Sequence, residues 1–204
     1  MLNLIIHGHT GRLAKKVLDN LNKYPNILYI GYIDRSYNMS MFKGINNLII
    51  LDISSDDGCK NLLTYLIKEK IYIPLIVGST GSLPKDLIKE YSDYTIVKEV
   101  SNFSEGITKI SQIIKSLILN NSSINIEETH HIMKKDTPSG TAKTLANIIG
   151  INNDNIKSIR EGTQYGLHTI VISNEYEKIT LTHETLDPNI FAIGCLNLIE
   201  TIYL

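Results

Sequence analysis

The sequence predicts an α/β protein with two domains, and three observations carry this prediction. Up to about residue 103, short apolar runs alternate with helical patterns, an order typical of a parallel sheet with helices on both faces. A glycine turn joins the first apolar run to the first helical run, as in a dinucleotide-binding βα unit. Beyond about residue 120, strand-like runs cluster around one helical run, which indicates a second, mixed and largely antiparallel sheet.

The first domain is predicted over residues 1–103 as a Rossmann-type, doubly wound parallel sheet that binds a dinucleotide. Its first strand is Leu2–His7, a short apolar run of the kind that forms a buried strand. The same alternation of apolar and helical patterns predicts the elements that follow. Further strands are expected at 27–33, 48–53, 74–77 and 94–97, and helices at 15–23, 54–70, 83–91 and 107–119.

The second domain is predicted over residues 104–191 as an α+β domain for substrate binding and oligomerisation. Its strands are expected at 124–128, 156–160, 168–173 and 178–183, and its helix at 141–149. The apolar last helix, 190–204, is expected to pack back on the first domain through residues 192–204. An antiparallel sheet has edges that need covering, and joining sheets between subunits would cover them.

Composition excludes several classes of function. Of the 204 residues, 43% are hydrophobic and 20% charged, which is typical of a soluble globular protein. A net charge of -1 gives no general attraction to nucleic acids or membrane surfaces, so neither is an expected partner. Cys59 and Cys195 form no CxxC pair or disulfide framework, which fits a reducing compartment. With no apolar run of membrane-spanning length, we expect a cytoplasmic protein.

The glycine turn of the first domain runs from Gly8 to Ala14 with the spacing G-x-x-G-x-x-A. Gly8 permits the tight turn, Gly11 lets the backbone approach a pyrophosphate, and Ala14 allows close packing of helix on strand. Thr10 stands where the second glycine of the strict dinucleotide motif would be. Any tight βα turn would fit this motif about as well, so other residues must decide between the two interpretations.

The end of the second strand favours a dinucleotide. Asp34 lies at the distance where an acidic residue usually meets the ribose 2′-hydroxyl. Arg35, its neighbour, could instead bind a 2′-phosphate, so NADH and NADPH are both open. The turn Gly78–Gly81 follows the fourth strand, at the end of a parallel sheet where ligands bind.

The stretch from Glu128 to Thr141 is the strongest candidate for a chemical site. Ser139 is a plausible N-cap for the helix that follows, and the N–H groups of Gly140 and Thr141 would face an anion at its first turn. Positive charge lies nearby on His131, Lys134 and Lys135. These features predict a pocket for an acidic small molecule, with His130 or Lys134 placed to move a proton.

No metal site is predicted in this stretch. His130 and His131 are expected to point to opposite sides of a strand, and no cysteine or third histidine stands at ligand spacing. His168 and His183 fall in strand-like segments and are expected to be hydrogen-bonded structural residues.

The residues from Glu128 to Ala142 resemble the E-x-H-H-x-x-K-x-D-x-P-S-G-T-A signature of the 4-hydroxy-tetrahydrodipicolinate reductase (dihydrodipicolinate reductase) family. Four shorter pieces occur in the family's order, namely Gly8–Leu13, Gly78–Gly81, Ser101–Ser104 and Arg160–His168. The resemblance covers nearly the whole chain. One departure is Pro188, which replaces an arginine that the family commonly has near the end.

The resemblance implies that NADH or NADPH reduces a cyclic unsaturated dicarboxylate to tetrahydrodipicolinate, on the route to lysine and diaminopimelate, in a homotetramer. His130 would be the proton donor and Lys134 the second catalytic group. The substrate's carboxylates would be bound by His131, Lys134, Gly140 and Thr141. The cofactor would be bound by Gly8, His9, Thr10, Gly11, Arg12, Leu13, Asp34, Gly78, Ser79, Thr80, Val100, Ser101, Asn102 and Phe103, in addition to Arg35 beside Asp34.

Two alternatives come from other classes of function. One is another two-domain NAD(P)-dependent dehydrogenase of a small acidic substrate. A semialdehyde enzyme of that kind needs a nucleophilic cysteine at the nicotinamide, whereas Cys59 and Cys195 lie in predicted helices. The other is a dinucleotide-binding sensor without catalysis, which would be expected to have lost His130 or Lys134.

Overall fold

The computed structural model describes residues 1–79, 81–117 and 122–202. They form two compact units, one of Met1–Phe103 with Phe191–Leu204 and the other of Ser104–Ile190. In chain order the elements are β1 (Leu2–His7), α1 (Arg12–Asn20), β2 (Ile27–Ile33), β3 (Leu48–Asp52), α2 (Asp56–Lys68), β4 (Leu75–Val77), α3 (Lys85–Ser92), β5 (Val97–Glu99), α4 (Glu105–Ser116), β6 (Ser123–His130), α5 (Gly140–Ile149), β7 (Ile156–Arg160), β8 (Leu167–Ser173), β9 (Lys178–Glu184) and α6 (Asn189–Thr201).

The first unit contains a five-stranded, all-parallel sheet in the order β2-β1-β3-β4-β5. The chain moves outward in one direction from β1 to β2 and in the other direction from β3 to β5. The strand order therefore reverses between β1 and β3, and such a switch point opens a crevice at the carboxyl ends of the two strands. The predicted doubly wound parallel sheet is confirmed.

The central strand β1 supplies side chains to two separate apolar cores. Ile5 packs with residues of α2 and α3, including Leu62 and Tyr91. Leu4 and Ile6 point to the other face and pack with residues of α1 and α6. Each fully buried aliphatic side chain contributes about 1.5–3 kcal/mol of burial free energy, so the unbroken apolar run at Leu4–Ile6 stabilises both faces of the sheet.

The fifth strand was predicted at 94–97, and that prediction was wrong by about three residues. The backbone N–H of Tyr94 donates to Tyr91, which continues the end of α3, and its ring stacks on Tyr72 at 4.4 Å. Ile96 is 46% exposed and meets β4 only through its carbonyl, which accepts from the N–H of Leu75 at 2.9 Å, and the paired residues begin at Val97. The residues at 94–97 therefore lie mostly on the protein surface, before the strand begins. The predicted helix ends at 118–119 and 203–204 lie outside the described residues.

Other differences are smaller. The first helix begins at Arg12 rather than at residue 15, so the glycine turn leads directly into it. The connection between β2 and β3 contains a short 3₁₀ turn, Ser40–Phe42, and buries Met39 and Phe42 in the core that contains Ile5.

The second unit contains a four-stranded sheet in the order β7-β6-β8-β9. The β6–β7 pair is parallel, and the other two pairs are antiparallel. Helices α4 and α5 cover one face, where Ile114 and Leu145 pack with alternate strand residues such as Ile126 and Ile170. The predicted mixed, largely antiparallel sheet is confirmed.

The register of this sheet brings one end of each of its four strands to the same side, at the ends of the strands. His130 ends β6 and pairs with Arg160, which ends β7. Leu167 begins β8 at the same level and pairs with Glu184, which ends β9. Side chains and turns that follow these ends are therefore neighbours, although their positions span more than fifty residues of sequence.

Within the described part of the chain, no helix combines the length and the apolar character needed to cross a membrane.

Candidate active site

A cavity of about 860 Å³ opens where β1, β2 and β3 end. Six of the predicted cofactor residues line it: Gly8, His9, Thr10, Gly11, Asp34 and Arg35. The cavity also has walls that the sequence argument did not name, formed by His7, Ile33, Tyr37, Ile53, Ser54, Ser55, Asp57, Gly58 and Asn61. Its position at the switch point between β1 and β3 is the usual place for a dinucleotide in such a sheet.

The turn at the mouth of β1 requires glycine. Gly8 has φ +88°, and a Cβ at this residue would lie 2.7 Å from the carbonyl oxygen of Ile53. The N–H of Gly11 donates to the carbonyl of Gly8, and Gly11 is the N-cap of α1. Arg12 and Leu13 form the first turn of α1, where backbone donors have no partner inside the helix. This turn fits the pyrophosphate of a dinucleotide.

Asp34 is fixed as a hydrogen-bond acceptor. Its carboxylate accepts from the backbone N–H of Ser36 at 2.8 Å and from the Ser36 hydroxyl at 2.5 Å. These bonds lower the pKa of Asp34 below its ordinary value. Nearby, the ring of His9 stacks on Tyr32 with centroids 3.7 Å apart, so the glycine turn is supported against β2.

A buried polar network, not predicted from the sequence, lies under this cavity. His7 Nδ1 lies 2.8 Å from Asp52 Oδ1, and both residues are buried. Asp52 also accepts from the hydroxyl of Ser54 at 2.6 Å and from that of Ser79 at 2.9 Å. The network ties together the ends of β1, β3 and β4. The signal for this network in the sequence is that two apolar strands each end in a polar residue, His7 in β1 and Asp52 in β3.

The residues predicted to flank a nicotinamide lie on two adjacent loops. The N–H of Val100 donates to Val77 at 2.9 Å, so the segments after β4 and β5 run side by side. A Cβ at Gly78 would lie 2.5 Å from the ring of Phe103, which places these two residues in contact. Ser79, Ser101 and Asn102 lie in the same two segments, whereas Thr80 lies outside the described residues. None of the described residues of these loops lines the 860 Å³ cavity.

In the second unit, the carboxylate of Glu128 is the centre of the candidate site. Glu128 has no solvent exposure, and its Oε2 contacts Nδ1 of His130. Its Oε1 accepts from Nη2 of Arg160 at 2.7 Å and from the backbone N–H of Ser139 at 3.2 Å. Burial alone would raise the pKa of Glu128, but the bonds from His130 and Arg160 outweigh it and hold the pKa well below 4.5. The carboxylate is therefore ionised.

Lys134 is paired with Asp136 across 2.8 Å. Burial would raise the pKa of Asp136, but the bond and charge of Lys134 and the backbone N–H of Gly140 lower it. The Asp136 carboxylate thus occupies two of the donors that were predicted to bind a substrate carboxylate. An incoming carboxylate would share Lys134 and Gly140 with this internal anion.

The start of α5 has the predicted cap. The hydroxyl of Ser139 accepts from the N–H of Ala142 at 3.2 Å. A Cβ placed on Gly140 would meet nothing within 4 Å, so there is open space at the first residue of the helix. Thr141 is buried in the first turn. The helix start can accept an anion beside His130, because Ser139 bonds to the same Glu128 carboxylate.

Two further histidines line up behind His130. The ring of His168 meets that of His130 edge-on at 5.1 Å, and His183 follows at 6.4 Å from His168. Nε2 of His168 lies 3.3 Å from the Ser139 hydroxyl, and Nε2 of His183 lies 3.0 Å from that of Ser104. Burial, and after it the charge of His130, lowers the pKa of His168 to about 3. His168 is therefore neutral at physiological pH, and both residues form hydrogen bonds as expected.

Spacing in the sequence does not reveal a cluster of possible metal ligands that the fold brings together here, because its histidines are distant in sequence. The sheet brings ligand atoms of Glu128, His130 and His168 within 4.8 Å of one another. The guanidinium of Arg160, however, lies 2.7 Å from the same carboxylate, and a metal cation there would be repelled by it. We therefore interpret the cluster as a network that holds protons.

His131 is not on the strand, contrary to the expectation that it and His130 would point to opposite sides. The strand β6 ends at His130, and the N–H of His131 donates at 2.7 Å to the carbonyl of Gln164, which lies in the turn between β7 and β8. His131 is partly exposed there and His130 is buried, so the two adjacent histidines have different environments.

The sequence comparisons agree with one another. A family model described as dihydrodipicolinate reductase, C-terminus, matches residues 103–203. The 4-hydroxy-tetrahydrodipicolinate reductase of Rickettsia rickettsii is 30% identical over 219 aligned residues, covering 96% of this chain and 91% of the relative. The protein of the same name from Clostridium novyi is 30% identical, covering 98% of this chain and 92% of the relative.

Solved structures support the fold. A dihydrodipicolinate reductase from Paenisporosarcina sp. TG-14 with bound dipicolinate gives a TM-score of 0.72 at 17% identity, covering 98% of this chain and 94% of that one. An aspartate dehydrogenase from Thermotoga maritima gives 0.60 at 15% identity, covering 100% and 97%. The sequence match over nearly the whole length, together with the signature at Glu128–Ala142, shows that this chain belongs to the 4-hydroxy-tetrahydrodipicolinate reductase family of oxidoreductases.

Proposed function

We propose that the protein catalyses the NAD(P)H-dependent reduction of 4-hydroxy-tetrahydrodipicolinate to tetrahydrodipicolinate in lysine and diaminopimelate biosynthesis. Family membership supports the reaction. The observation that carries the assignment of roles is the second unit's buried cluster, in which Glu128 contacts both His130 and the capped start of α5. A proton donor and an anion site are thereby held together, as the reduction of a dicarboxylate requires.

His130 is the proposed proton donor. Loss of water from the hydroxylated substrate gives a conjugated imine. Hydride addition to this imine leaves electron density on the ring, which a nearby acid must quench, and an imidazolium can donate the required proton near neutral pH. Nδ1 of His130 faces Glu128, so Nε2 is the nitrogen that remains for the substrate. A Cβ at Gly166 would lie only 3.1 Å from Nε2, so a side chain at this residue would crowd that nitrogen.

The proposed substrate site uses the donors around this acid. One carboxylate of the substrate would bind at the start of α5 through Gly140 and Thr141, where the helix dipole favours an anion. The other would bind His131 and Lys134, with Lys134 as the second catalytic group. Two separated anion sites match the two carboxylates of the substrate, and the displacement of Asp136 would release Lys134 for this role.

The first unit is the proposed dinucleotide-binding domain, and residues 104–191 form the proposed substrate-binding domain. The glycine turn with the start of α1 fits the pyrophosphate, and Asp34 fits the hydroxyls of the adenine ribose. Gly78, Ser79 and Thr80 with the segment Val100–Phe103 would flank the nicotinamide. When bound, the nicotinamide supplies the hydride, and these residues orient it and exclude water. Because Arg35 could bind a 2′-phosphate, the proposed cofactor is either NADH or NADPH.

A homotetramer is the proposed assembly. Strand β9 lies at the edge of its sheet and is exposed along much of its length, including Ile179 at 40%. Pairing such an edge with another subunit would satisfy its backbone groups. A single monomeric species in light scattering at micromolar concentration would contradict this assembly.

The thioester route of a semialdehyde dehydrogenase is disfavoured by the cysteines. Cys59 and Cys195 are both fully buried, and burial raises the pKa of both thiols. A thiol in such surroundings is a poor nucleophile, because the thiolate is the reactive form.

The test is oxidation of NADH and NADPH with the pathway substrate generated enzymatically, comparing wild type with His130→Ala and Lys134→Ala. We expect turnover by wild type and a loss of about 100-fold or more in kcat in both variants, with dinucleotide binding retained. Lys135→Ala, which changes the neighbouring lysine, serves as the control. Dinucleotide binding without turnover in wild type would favour another dehydrogenase or a sensor.

A further inference from the structure

We infer that Glu128 is a positioning residue that fixes the tautomer of His130, so that the catalytic proton leaves from Nε2. The inference rests on the proposed role of His130 as the donor. It adds a residue outside the proposed catalytic pair and assigns a separate task to each nitrogen of the imidazole.

The contact between Glu128 and His130 determines where the protons lie. An ionised carboxylate has only acceptors, so the imidazole nitrogen in contact with it must carry hydrogen. In the cation both nitrogens of His130 are protonated. Once Nε2 has given its proton to the substrate, the neutral ring keeps its hydrogen on Nδ1, and Nε2 is ready to be protonated again. Without the carboxylate either tautomer could form, and one of them would present a hydrogen-free Nδ1 at the wrong side.

The carboxylate itself is held from the other side. Arg160 Nη2 donates to Oε1 at 2.7 Å and also to the carbonyl of Asp136 at 2.6 Å. Because His130 and Arg160 are register partners at the ends of β6 and β7, the sheet sets their separation. Oε1 is thereby occupied, and Oε2 remains for the imidazole. The chain Arg160–Glu128–His130 has the logic of a catalytic triad, in which a buried carboxylate orients a histidine.

The same carboxylate fixes the acid relative to the anion site. Oε1 accepts the N–H of Ser139, and the hydroxyl of Ser139 caps α5 at Ala142. A movement of Glu128 would therefore disturb both the imidazole and the helix start. His168, which contacts the His130 ring edge-on at 5.1 Å, is neutral and so adds no competing charge.

The matched control is the adjacent residue on the same strand. Glu127 points to the opposite face of β6 and is paired with Lys157 at 2.6 Å on the surface. Glu128→Gln and Glu127→Gln remove the same charge and keep the same shape. Only the first removes the obligatory acceptor at Nδ1, because the amide of glutamine can present either a donor or an acceptor.

The test is nitrogen NMR of the full chain labelled with ¹⁵N-histidine, recorded at an alkaline pH at which the His130 signals themselves report a neutral ring. The signal of His130 is assigned by its loss in His130→Asn. We expect wild type and Glu127→Gln to show only the tautomer with hydrogen on Nδ1, and Glu128→Gln to show a substantial Nε2–H population. In parallel, Glu128→Gln should lower kcat by about 100-fold or more and leave KM within about twofold.

The outcomes separate this inference from the proposed function, since the tautomer is read without turnover. An Nε2–H tautomer in wild type would overturn the inference by itself, even if Glu128→Gln fails to fold. An unchanged tautomer in a folded Glu128→Gln protein would also overturn it, and folding is checked by circular dichroism and binding of pyridine-2,6-dicarboxylate. Absence of reductase activity in wild type, with the expected tautomers, would instead remove the proposed reaction and leave the positioning intact.

Discussion

The buried His168 predicts that the fold is sensitive to mild acid. Its pKa is lowered from 6.5 to about 3, first by burial and then by the charge of His130. Below pH 6.5 the unfolded chain therefore binds a proton at this residue that the folded chain does not bind until about pH 3. His168 should have no influence on the pH dependence of stability above that window, and the free energy of unfolding should fall as the pH drops through it.

The size of the effect follows from the shift. Each pH unit inside the window removes about 1.4 kcal/mol, so acidification from pH 7 to pH 5 should cost about 2 kcal/mol through His168. This is a large share of the ~5–15 kcal/mol that stabilises a typical domain. Burial also lowers the pKa of His183, which adds to the loss in the same direction. The carboxylate of Glu128 begins to contribute only below its ordinary value of 4.5, so the range from pH 7 to pH 5 isolates the histidines.

The assay is urea unfolding followed by circular dichroism, for wild type and His168→Gln at pH 7, 6 and 5. Glutamine can keep a hydrogen bond to Ser139 but does not titrate, so the variant should lose about 2 kcal/mol less than wild type between pH 7 and pH 5. Each protein is compared with itself, and any constant destabilisation by the substitution therefore cancels. Equal losses in the two proteins would refute the reasoning.

Three further predictions concern the two proposed binding sites. Gly8→Ala should destabilise the protein by about 1–3 kcal/mol and abolish NADH binding in calorimetry, because a positive φ coincides with a Cβ 2.7 Å from the carbonyl oxygen of Ile53; normal binding would show that the turn can relax. Asp136→Asn should tighten the binding of pyridine-2,6-dicarboxylate severalfold, since the Asp136 charge competes for Lys134; weaker binding would mean that Asp136 positions the lysine instead. Asp34→Asn should raise the ratio of kcat/KM for NADPH to that for NADH by roughly tenfold, about 1.4 kcal/mol, because the charge that repels a 2′-phosphate is removed; an unchanged ratio in steady-state kinetics would exclude Asp34 from the choice of cofactor.

Local patterns in the sequence were enough for most of the fold. The unbroken apolar run of β1 indicates a strand buried on both faces, and the alternating residues of β8 indicate a strand buried on one face. Both strands lie where these patterns predict them. The position of the fifth strand was predicted wrongly because an apolar run that lies on the surface has the same sequence pattern as one that forms a strand of the sheet. Only the pairing of Val97 with β4 distinguishes the two, and pairing is not a local property.

In the candidate site, too, features set by neighbouring residues could be predicted, and features set by strand pairing could not. The glycine turn and the residues around His130 are adjacent in sequence, so motif spacing could predict them. Arg160 and His168 stand 30 and more positions beyond Glu128, and it is the strand register that brings them to it. The pairing of Lys134 with Asp136 was missed for another reason, since a lysine and an aspartate two residues apart on a turn can point in any direction.

The helix α6 has a consequence for the order in which the protein is completed. Its residues Cys195, Leu196 and Ile199 belong to the apolar core that includes Leu4 and Ile6 of β1. A Cβ at Gly194 would lie 1.8 Å from the carbonyl oxygen of Phe103, so the helix backbone rests directly on that residue. During synthesis, the part of this sheet face that α6 covers therefore stays open to water until α6 has left the ribosome. The core of the first unit is therefore complete only after all of Ser104–Ile190 has been synthesised, whereas Ser104–Ile190 has its own core residues available earlier.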